Sequence, residues 1–201
     1  MSIVLFMKTL LLLCLLTICP VSLLCAQGRV RTTDVDSGRV EKGKKVGLWS
    51  YYSFTGSGRK VLVQRYDHTA QKLLFFRQAD ERPYRMQVGS EWKSDYLDQP
   101  PLFLGGDAAL SEFTRQLNYP EDARAQQVQG RVVVNFIIDT LGAAYDHKVL
   151  LGVSASCDRE ALRVAKLIPA QWLPGRKNGR AVPVEYQLPF VFRVQNAAAG
   201  R

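Results

Sequence analysis

The stretch from Ala181 to Val194 reads A-V-P-V-E-Y-Q-L-P-F-V-F-R-V. Apolar residues alternate along it. One parity holds Val182, Val184, Tyr186, Leu188, Phe190, Phe192 and Val194, whereas the other holds polar residues and two prolines, with Val191 as the apolar exception. Side chains of a β-strand point alternately to the two faces of its sheet. The pattern therefore predicts one long strand with one face on a hydrophobic core.

The two prolines of this strand, Pro183 and Pro189, lie on the same parity. Proline has no N–H to donate, so within a sheet it occurs at an edge with the missing group facing outward. Between the prolines, Glu185 and Gln187 keep their outward N–H and C=O groups. The strand is therefore predicted to form an exposed sheet edge that binds an extended peptide by strand addition.

The N-terminal segment is typical of an exported protein. A basic residue precedes a leucine-rich run from Thr9 to Leu24, which predicts a secretory signal peptide over residues 1–26 with cleavage after Ala26. An uncleaved membrane anchor is the alternative, because the apolar run is about long enough to span a bilayer. Cleavage leaves Cys157 as the one remaining cysteine, so we expect a fold without an internal disulfide.

Composition excludes several classes of function. The chain has 201 residues and a net charge of +9, but its basic residues are scattered and do not interleave with aromatic residues as in a nucleic-acid interface. The acidic residues are scattered, with adjacent pairs at Asp80-Glu81 and Glu121-Asp122, and the sequence has no Ser-His-Asp arrangement, no metal-ligand spacing and no glycine-rich phosphate loop. His68 and His147 are expected to be structural. We therefore predict a protein that is not an enzyme, has no cofactor or metal and does not bind nucleic acid.

The region after the signal peptide, residues 27–99, is predicted to be rich in β-structure. Strands are expected over Leu48–Phe54, Arg59–Tyr66 and Lys72–Arg77, separated by short turns. The run G-K-K-V-G-L-W-S-Y-Y, from Gly43 to Tyr52, resembles the MORN-like repeats of bacterial surface and exported proteins. That weaker resemblance implies a docked module or a spacer with a role in interactions.

Two parts of this region lack periodicity. Gln27–Arg39 is polar, which predicts a flexible lead-in. Ala79–Gln99 is charged, which predicts a linker in which Trp92 and Tyr96 are candidates for docking. A boundary is expected at Pro100.

The second region, residues 100–195, alternates between helical and strand patterns. Helices are predicted over Asp107–Leu117, Glu121–Gln127 and Cys157–Ile168, and strands over Arg131–Asp139 and Tyr145–Val153 before the final strand. A hairpin and a third antiparallel strand, with helices on one face, make a two-layer α+β domain. Residues 196–201 are expected to be a disordered tail.

Six blocks of this region resemble a known family, the TonB C-terminal domain. They are Tyr119-Pro120, Q-G-R-V-V-V-N-F-I-I-D-T-L-G (Gln129–Gly142), C-D-R-E-A-L-R-V-A-K (Cys157–Lys166), W-L-P-G (Trp172–Gly175), N-G-R-A-V-P-V (Asn178–Val184) and Y-Q-L-P-F-V-F (Tyr186–Phe192). The blocks occur in the family's order at compatible spacing over roughly Pro100 to Val194.

The resemblance implies a periplasmic domain with helices packed on a three-stranded antiparallel sheet. Domains of this family capture the TonB box, a short extended segment of outer-membrane receptors, by strand addition at the last strand. The partner-binding residues carried over are Asn118, Tyr119, Pro120, Val182, Val184, Glu185, Tyr186, Gln187 and Leu188. No catalytic chemistry is implied.

Two departures from the family leave two functions open. Its energy transducers keep an uncleaved inner-membrane helix that contacts a proton-driven motor, and a long proline-rich linker crosses the periplasm. Here the segment over residues 1–26 looks cleavable, and residues 27–99 are strand-like with few prolines. The chain is either a TonB-like protein in energised uptake or a soluble periplasmic interaction module without energy transduction. An exposed edge also allows pairing with a second copy of the chain in a symmetric homodimer.

Overall fold

The structure is a computed structural model that describes residues 28–77 and 82–193. The predicted signal peptide over residues 1–26, the predicted tail over residues 196–201 and the last residue of the predicted final strand, Val194, lie outside the described residues.

The described residues form strands and helices in two groups. The first group is β1 (Arg29–Thr32), β2 (Asp36–Glu41), β3 (Lys44–Phe54), β4 (Lys60–Asp67), β5 (Lys72–Phe76), β6 (Tyr84–Val88) and β7 (Glu91–Asp95). The second group is β8 (Leu102–Phe103), α1 (Gly106–Thr114), α2 (Glu121–Ala125), β9 (Gly130–Ile138), β10 (Ala144–Leu151), α3 (Ala155–Leu167), β11 (Trp172–Leu173), β12 (Gly175–Lys177), β13 (Arg180–Val182) and β14 (Val184–Phe192).

The first sheet is an antiparallel meander in the order β1-β2-β3-β4-β5. The expectation of a flexible lead-in over Gln27–Arg39 is therefore wrong for its described part, because β1 and most of β2 lie there. Asp36 explains the order of this polar stretch. Its buried carboxylate accepts hydrogen bonds from Arg31 at 2.6 Å, Thr33 at 2.7 Å and Lys45 at 2.9 Å. Charge pairing replaces the apolar periodicity that normally marks a strand.

The second sheet has the order β10-β9-β14-β6-β7. The sequence predicted three antiparallel strands, which correspond to β9, β10 and β14. The two additional strands form a hairpin from the segment that was expected to be a linker, so the sheet draws on residues from both sides of the boundary expected at Pro100. The α+β class with helices and antiparallel sheets is as predicted, and the strand count is corrected from three to five.

The predicted final strand is divided at Pro183. Val182 belongs to β13, which pairs with β12 around the Asn178-Gly179 turn, with Val182 opposite Gly175. The longer strand β14 begins at Val184 and pairs with β9. The prediction of one continuous strand from Ala181 is therefore wrong at its start, although alternation of side chains within β14 is correct: Val184, Leu188, Phe190 and Phe192 are buried.

One face of the second sheet packs on the helices. Phe136 of β9, Phe190 of β14 and Val164 of α3 are at most 1% exposed in this core. Ser154 caps α3, since its Oγ accepts a hydrogen bond from the Cys157 N–H at 3.3 Å. Cys157 is itself buried in the core, as expected for a structural thiol.

A buried side chain, Gln64 of β4, joins the first sheet to the segment before α1. Its Nε2 donates to the Phe103 carbonyl at 2.8 Å, and its Oε1 accepts from the Gly105 N–H at 2.9 Å. These bonds link the first sheet to the segment that leads into α1. Gly106, the first residue of α1, also packs closely on β4, because a Cβ there would be 3.0 Å from Val63.

Both histidines are predicted to make stability depend on pH. Burial lowers the pKa of His68 and of His147, and Lys45 and Lys166 respectively lower it further. A histidine with a lowered folded-state pKa binds protons more readily in the unfolded chain, so its contribution is complete above the unfolded pKa of about 6.5 and is lost as the pH falls.

We therefore expect the free energy of unfolding to decrease between about pH 7.5 and pH 5.5. Urea unfolding at several pH values measures the slope in the wild type and in the variant with His68→Gln and His147→Gln. A slope that is equally steep in both proteins would contradict the assignment.

Candidate peptide-binding edge

The candidate site is the side of β14 that faces away from β9. Pairing with β9 is continuous from Val184 opposite Ile138 to Phe192 opposite Gly130, with no register shift. On the other side, the Gln87 N–H donates to the Pro183 carbonyl at 2.9 Å. Backbone groups of successive strand residues alternate between the two sides. The backbone groups of Gln187, Pro189 and Val191 therefore face the same side as the Pro183 carbonyl, away from β9.

The start of this side is occupied by the protein's own chain. Val184 pairs with Met86 of β6, and Arg85 Nε lies 3.2 Å from Glu185 Oε1. The interpretation that the edge is open from Val182 to Leu188 is therefore wrong at its N-terminal part. The signal that the sequence analysis missed is a short alternation in β6, where Tyr84, Met86 and Val88 are separated by polar residues.

The cover ends soon after Val184. Pro83 is positioned near Gln187, and both residues line a cavity of about 130 Å³ together with Arg85 and Glu185. Proline has no N–H, so Pro83 cannot donate to the next position of the β6 ladder. Among residues 28–77 and 82–193, no strand pairs with the outward side of β14 beyond Val184. We call the outward side of Gln187–Phe192 the free edge.

Among the predicted site residues, Tyr119 lies near Phe192, at the far end of β14, and Asn118 and Pro120 flank Tyr119 in the chain. The ring centroids of Tyr119 and Phe192 are 5.8 Å apart. The Tyr119 hydroxyl donates to the Val128 carbonyl. The Asn118 N–H donates to Glu160 Oε1 at 2.7 Å.

The charge of Glu160 and the conformation of Pro120 also position this segment. Arg163 lowers the pKa of Glu160 through a side-chain hydrogen bond, and the bond from Asn118 adds to the effect against the opposing influence of burial. Pro120 is extended and precedes α2 as its N-cap, rather than being the first helical residue. The segment is thus held against α3 by an ionised carboxylate.

The nine predicted residues are therefore spread along one strand edge. Val184 and Phe192 are eight residues apart, which corresponds to about 26 Å in a strand. Gln187 and Leu188 lie near the middle, Val182 and Val184 lie at the covered end, and Tyr119 lies at the other end. An extended guest that contacts both ends must span most of β14.

Most side chains in the predicted set face inward. The Tyr186 ring lies 4.7 Å from Trp172 and 5.5 Å from Phe136, and Leu188 is buried with the core. Val182 packs beside the buried Val184. Their contribution to a guest is the backbone rather than the side chain, which fits strand addition, where main-chain hydrogen bonds carry the affinity.

The outer edges of the second sheet are protected in other ways. On β10 the pairing with β9 shifts register twice, and Asp146 has a φ of 53°. Such bulges bend an edge strand and interrupt its pairing groups. On β7 the exposed residues Glu91 and Lys93 are charged, which also discourages pairing. The free edge of β14 is the better candidate for a guest strand.

Other kinds of site find no support in the part of the chain that the structure describes. No group of three or more potential metal ligands occurs within residues 28–77 and 82–193. The same ranges contain no helix with the length and apolar character needed to cross a bilayer.

Comparisons with known proteins agree with the motif blocks. The family model described as Gram-negative bacterial TonB protein C-terminal matches residues 115–194. No curated protein matches the sequence. Two NMR solution structures of the Helicobacter pylori TonB C-terminal domain are similar to this chain. One is 22% identical with a TM-score of 0.34, covering 43% of this chain and 78% of that chain. The other, of a shorter segment, is 20% identical with a TM-score of 0.33, covering 44% and 92%.

The family match covers the elements that build the candidate site. It begins at Arg115, at the end of α1, and includes α2, β9, β10, α3 and the whole of β14. The hairpin of β6 and β7 precedes it. Residues 115–194 of this chain are therefore similar to the C-terminal domain family of Gram-negative bacterial TonB proteins.

Proposed function

We propose that this protein is a TonB-like periplasmic protein that binds the TonB box of outer-membrane receptors by strand addition and takes part in energised transport. The observation that carries the proposal is the free edge. It is an outward strand side without a strand partner in the described residues, on a domain of a family that interacts with outer-membrane receptors.

Strand addition uses the backbone of the free edge. The N–H groups of Gln187 and Val191 donate to a guest strand, and the carbonyls of Gln187, Pro189 and Val191 accept from it. Pro189 contributes no donor, so one position of the ladder is missing. The guest then runs toward Phe192 and the neighbouring Tyr119. One guest strand therefore contacts both predicted segments, 118–120 and 182–188.

Replacing Gln187 by proline tests this backbone role. The change removes one outward N–H and leaves the inward ladder to β9 in place, because inward bonds come from residues of the other parity. We expect binding of a TonB box peptide to weaken by about 1–3 kcal/mol, the net value of one or two hydrogen bonds. Isothermal titration calorimetry with peptides from the receptors of the same bacterium measures the affinity.

Gln187→Ala is the matched control for this test. It removes the same side chain but keeps the N–H, so we expect a much smaller loss of affinity than with proline. Hydrogen exchange across β9 establishes that both variants remain folded. Equal affinities for the proline variant and the wild type would exclude strand addition at this position.

A soluble interaction module is the second candidate, and the first sheet favours it. Residues 29–76 fold into an antiparallel meander rather than an extended proline-rich linker, which shortens the reach across the periplasm to a few tens of ångströms. Direct coupling to an inner-membrane proton-driven motor needs an N-terminus that stays in that membrane. Cell fractionation distinguishes the two functions, since recovery of the mature chain with the soluble periplasm removes direct coupling.

The resemblance of the first sheet to MORN-like repeats stays a prediction. The run from Gly43 to Tyr52 places Trp49 and Tyr51 on the buried face of β3, and a Cβ at Gly38 would lie within 2.5 Å of the Trp49 ring. This close packing supports a structural module attached to the TonB C-terminal domain.

A further inference from the structure

We propose that the hairpin of β6 and β7 is a resident occupant of the guest site, and that a guest peptide displaces it by placing an apolar side chain where Met86 lies. This inference rests on the proposed function, because it concerns the same edge of β14. It adds a competitor within the chain and a chemical requirement on the guest.

The hairpin occupies the edge with few interactions. One residue pair, Val184 with Met86, joins β6 to β14, beside the hydrogen bond from the Gln87 N–H to the Pro183 carbonyl. Pro83 cannot donate to the next position of the ladder, and a cavity lies there, lined by Pro83 and Gln187. Two ion pairs hold the hairpin, Arg85 with Glu185 and Asp95 with Lys177 of β12, and each has a partly exposed partner. Such pairs contribute little to stability. The ladder and the charges therefore hold β6 weakly.

Met86 is the apolar anchor of the hairpin. Its side chain is fully buried in a small cluster with Leu97 and Val184, against which Tyr84 of the hairpin and Val182 of β13 pack. Two of these neighbours are fixed independently of the hairpin. Val184 belongs to β14, and Leu97 is followed by Asp98 and Gln99, whose backbones bond to Arg176 of β12.

The apolar site that receives Met86 is therefore built by the TonB C-terminal domain and its neighbouring segment. A Cβ at Gly175 would be 2.5 Å from Val184 and 3.4 Å from Leu97, so the backbone of β12 closes the site from below. When the hairpin leaves, this site is exposed to water. A guest that supplies an apolar side chain at the same register covers it again, which specifies an extended peptide with one buried apolar residue.

A resident competitor lowers the apparent affinity for the guest. If the guest binds completely only when the hairpin is released, the apparent dissociation constant equals the intrinsic one divided by the released fraction. Changes that loosen the hairpin then strengthen guest binding, whereas changes that fix it weaken binding. If the hairpin served only as an extension of the sheet, neither kind of change would alter guest binding.

A reversible disulfide tests the competition. The bond from Gln87 to Pro183 makes Val184 and Met86 a non-hydrogen-bonded pair, with Cα atoms about 4.5 Å apart, which is within the range for a disulfide. In the variant with Met86→Cys and Val184→Cys, we expect the oxidised protein to bind a TonB box peptide at least about tenfold more weakly than the same protein after reduction. Cys157 is buried and stays outside this reaction.

Two single variants complete the test. Met86→Ser removes the anchor and is expected to bind the peptide about tenfold more tightly than the wild type. Lys93→Ala, on the exposed edge strand opposite Met86, is expected to bind as the wild type does. Hydrogen exchange establishes that β9 and β14 remain protected in each variant.

The outcomes separate this inference from the proposed function. If the wild type binds the peptide and oxidation leaves the affinity unchanged, the resident hairpin is excluded while strand addition stands. If neither the wild type nor the loosened variants bind any receptor peptide, the proposed function fails and the inference fails with it. Binding by Met86→Ser alone would support both.

Serine substitutions in the peptide test the apolar requirement. Replacing each apolar residue of the bound peptide in turn is expected to identify one position at which affinity drops about tenfold. Losses that are equal at all positions would overturn the assignment of the Met86 site to the guest.

Discussion

Replacing Gly142 by alanine is expected to destabilise the fold by about 2–5 kcal/mol, from a left-handed backbone cost of about 1–2 kcal/mol and an overpacking cost of about 1–3 kcal/mol. Gly142 has a φ of 84°, and a Cβ built there would lie 2.0 Å from the Trp172 carbonyl oxygen. Because that atom belongs to the backbone, relief requires a shift of the segment that carries Trp172.

Gly179→Ala is the matched control, because it isolates the backbone cost. Gly179 has a φ of 73°, but no atom lies within 4 Å of a Cβ built there. We expect this variant to lose about 1–2 kcal/mol. Urea unfolding of the two variants measures both costs. Equal losses would mean that the close approach of Gly142 to Trp172 contributes nothing.

The Gly142 variant also tests whether the core holds the free edge in position. Trp172 is 4% exposed and its ring contacts Tyr186 and Phe136. A displaced Trp172 therefore disturbs the inner face of β14 without touching the free edge. A loss of peptide affinity in Gly142→Ala, with none in Gly179→Ala, would show that the core holds the edge in position.

The sequence predicted the elements that have strong periodicity. Alternation in β14 and the helical stripe of α3 were clear because each packs one side on the same core. The outward position of Pro183 and Pro189 also follows from the sequence. A residue without an N–H cannot donate to the ladder with β9, so it fits the side of the strand that faces away from β9. These elements fall within the region that matches the family.

The sequence carries little signal where polar residues or short pairings determine the structure. The strands β1 and β2 are stabilised by the ion pairs of Asp36, which have no period. The hairpin of β6 and β7 has one buried anchor, Met86, amid charged residues. An edge that looks open from its own sequence is covered by a strand about a hundred residues earlier, and pairing over such separation leaves no local signal.

The sequence predicted which strand carries the candidate site, but it did not predict that β6 covers part of that strand. Alternation and the two prolines identified β14 and its outward side correctly, whereas Val182 moved to a neighbouring hairpin and Val184 gained a partner. The strand that occupies the edge is itself the kind of guest that the edge was predicted to bind. This supports the capacity of the edge for strand addition and relocates its unoccupied part to Gln187–Phe192.

Replacing Gln64 by alanine is expected to lower the free energy of unfolding by about 2–6 kcal/mol, since an unsatisfied buried backbone group costs about 1–3 kcal/mol and two are created. Gln64 is 2% exposed, and its amide bonds to both the Phe103 carbonyl and the Gly105 N–H. No other side-chain hydrogen bond in the described residues reaches these two groups.

Gln126→Ala, on an exposed residue at the end of α2, is the control and is expected to change stability by less than about 0.5 kcal/mol. Hydrogen exchange gives a second readout that depends on position. Because Gln64 joins the first sheet to the segment before α1, its loss is expected to reduce protection in β3 and β4 while β9 and β14 keep theirs. Uniform loss of protection across both sheets would show instead that the two sheets unfold as one cooperative unit, and unchanged protection in β3 and β4 would contradict the role of Gln64 as the link between them.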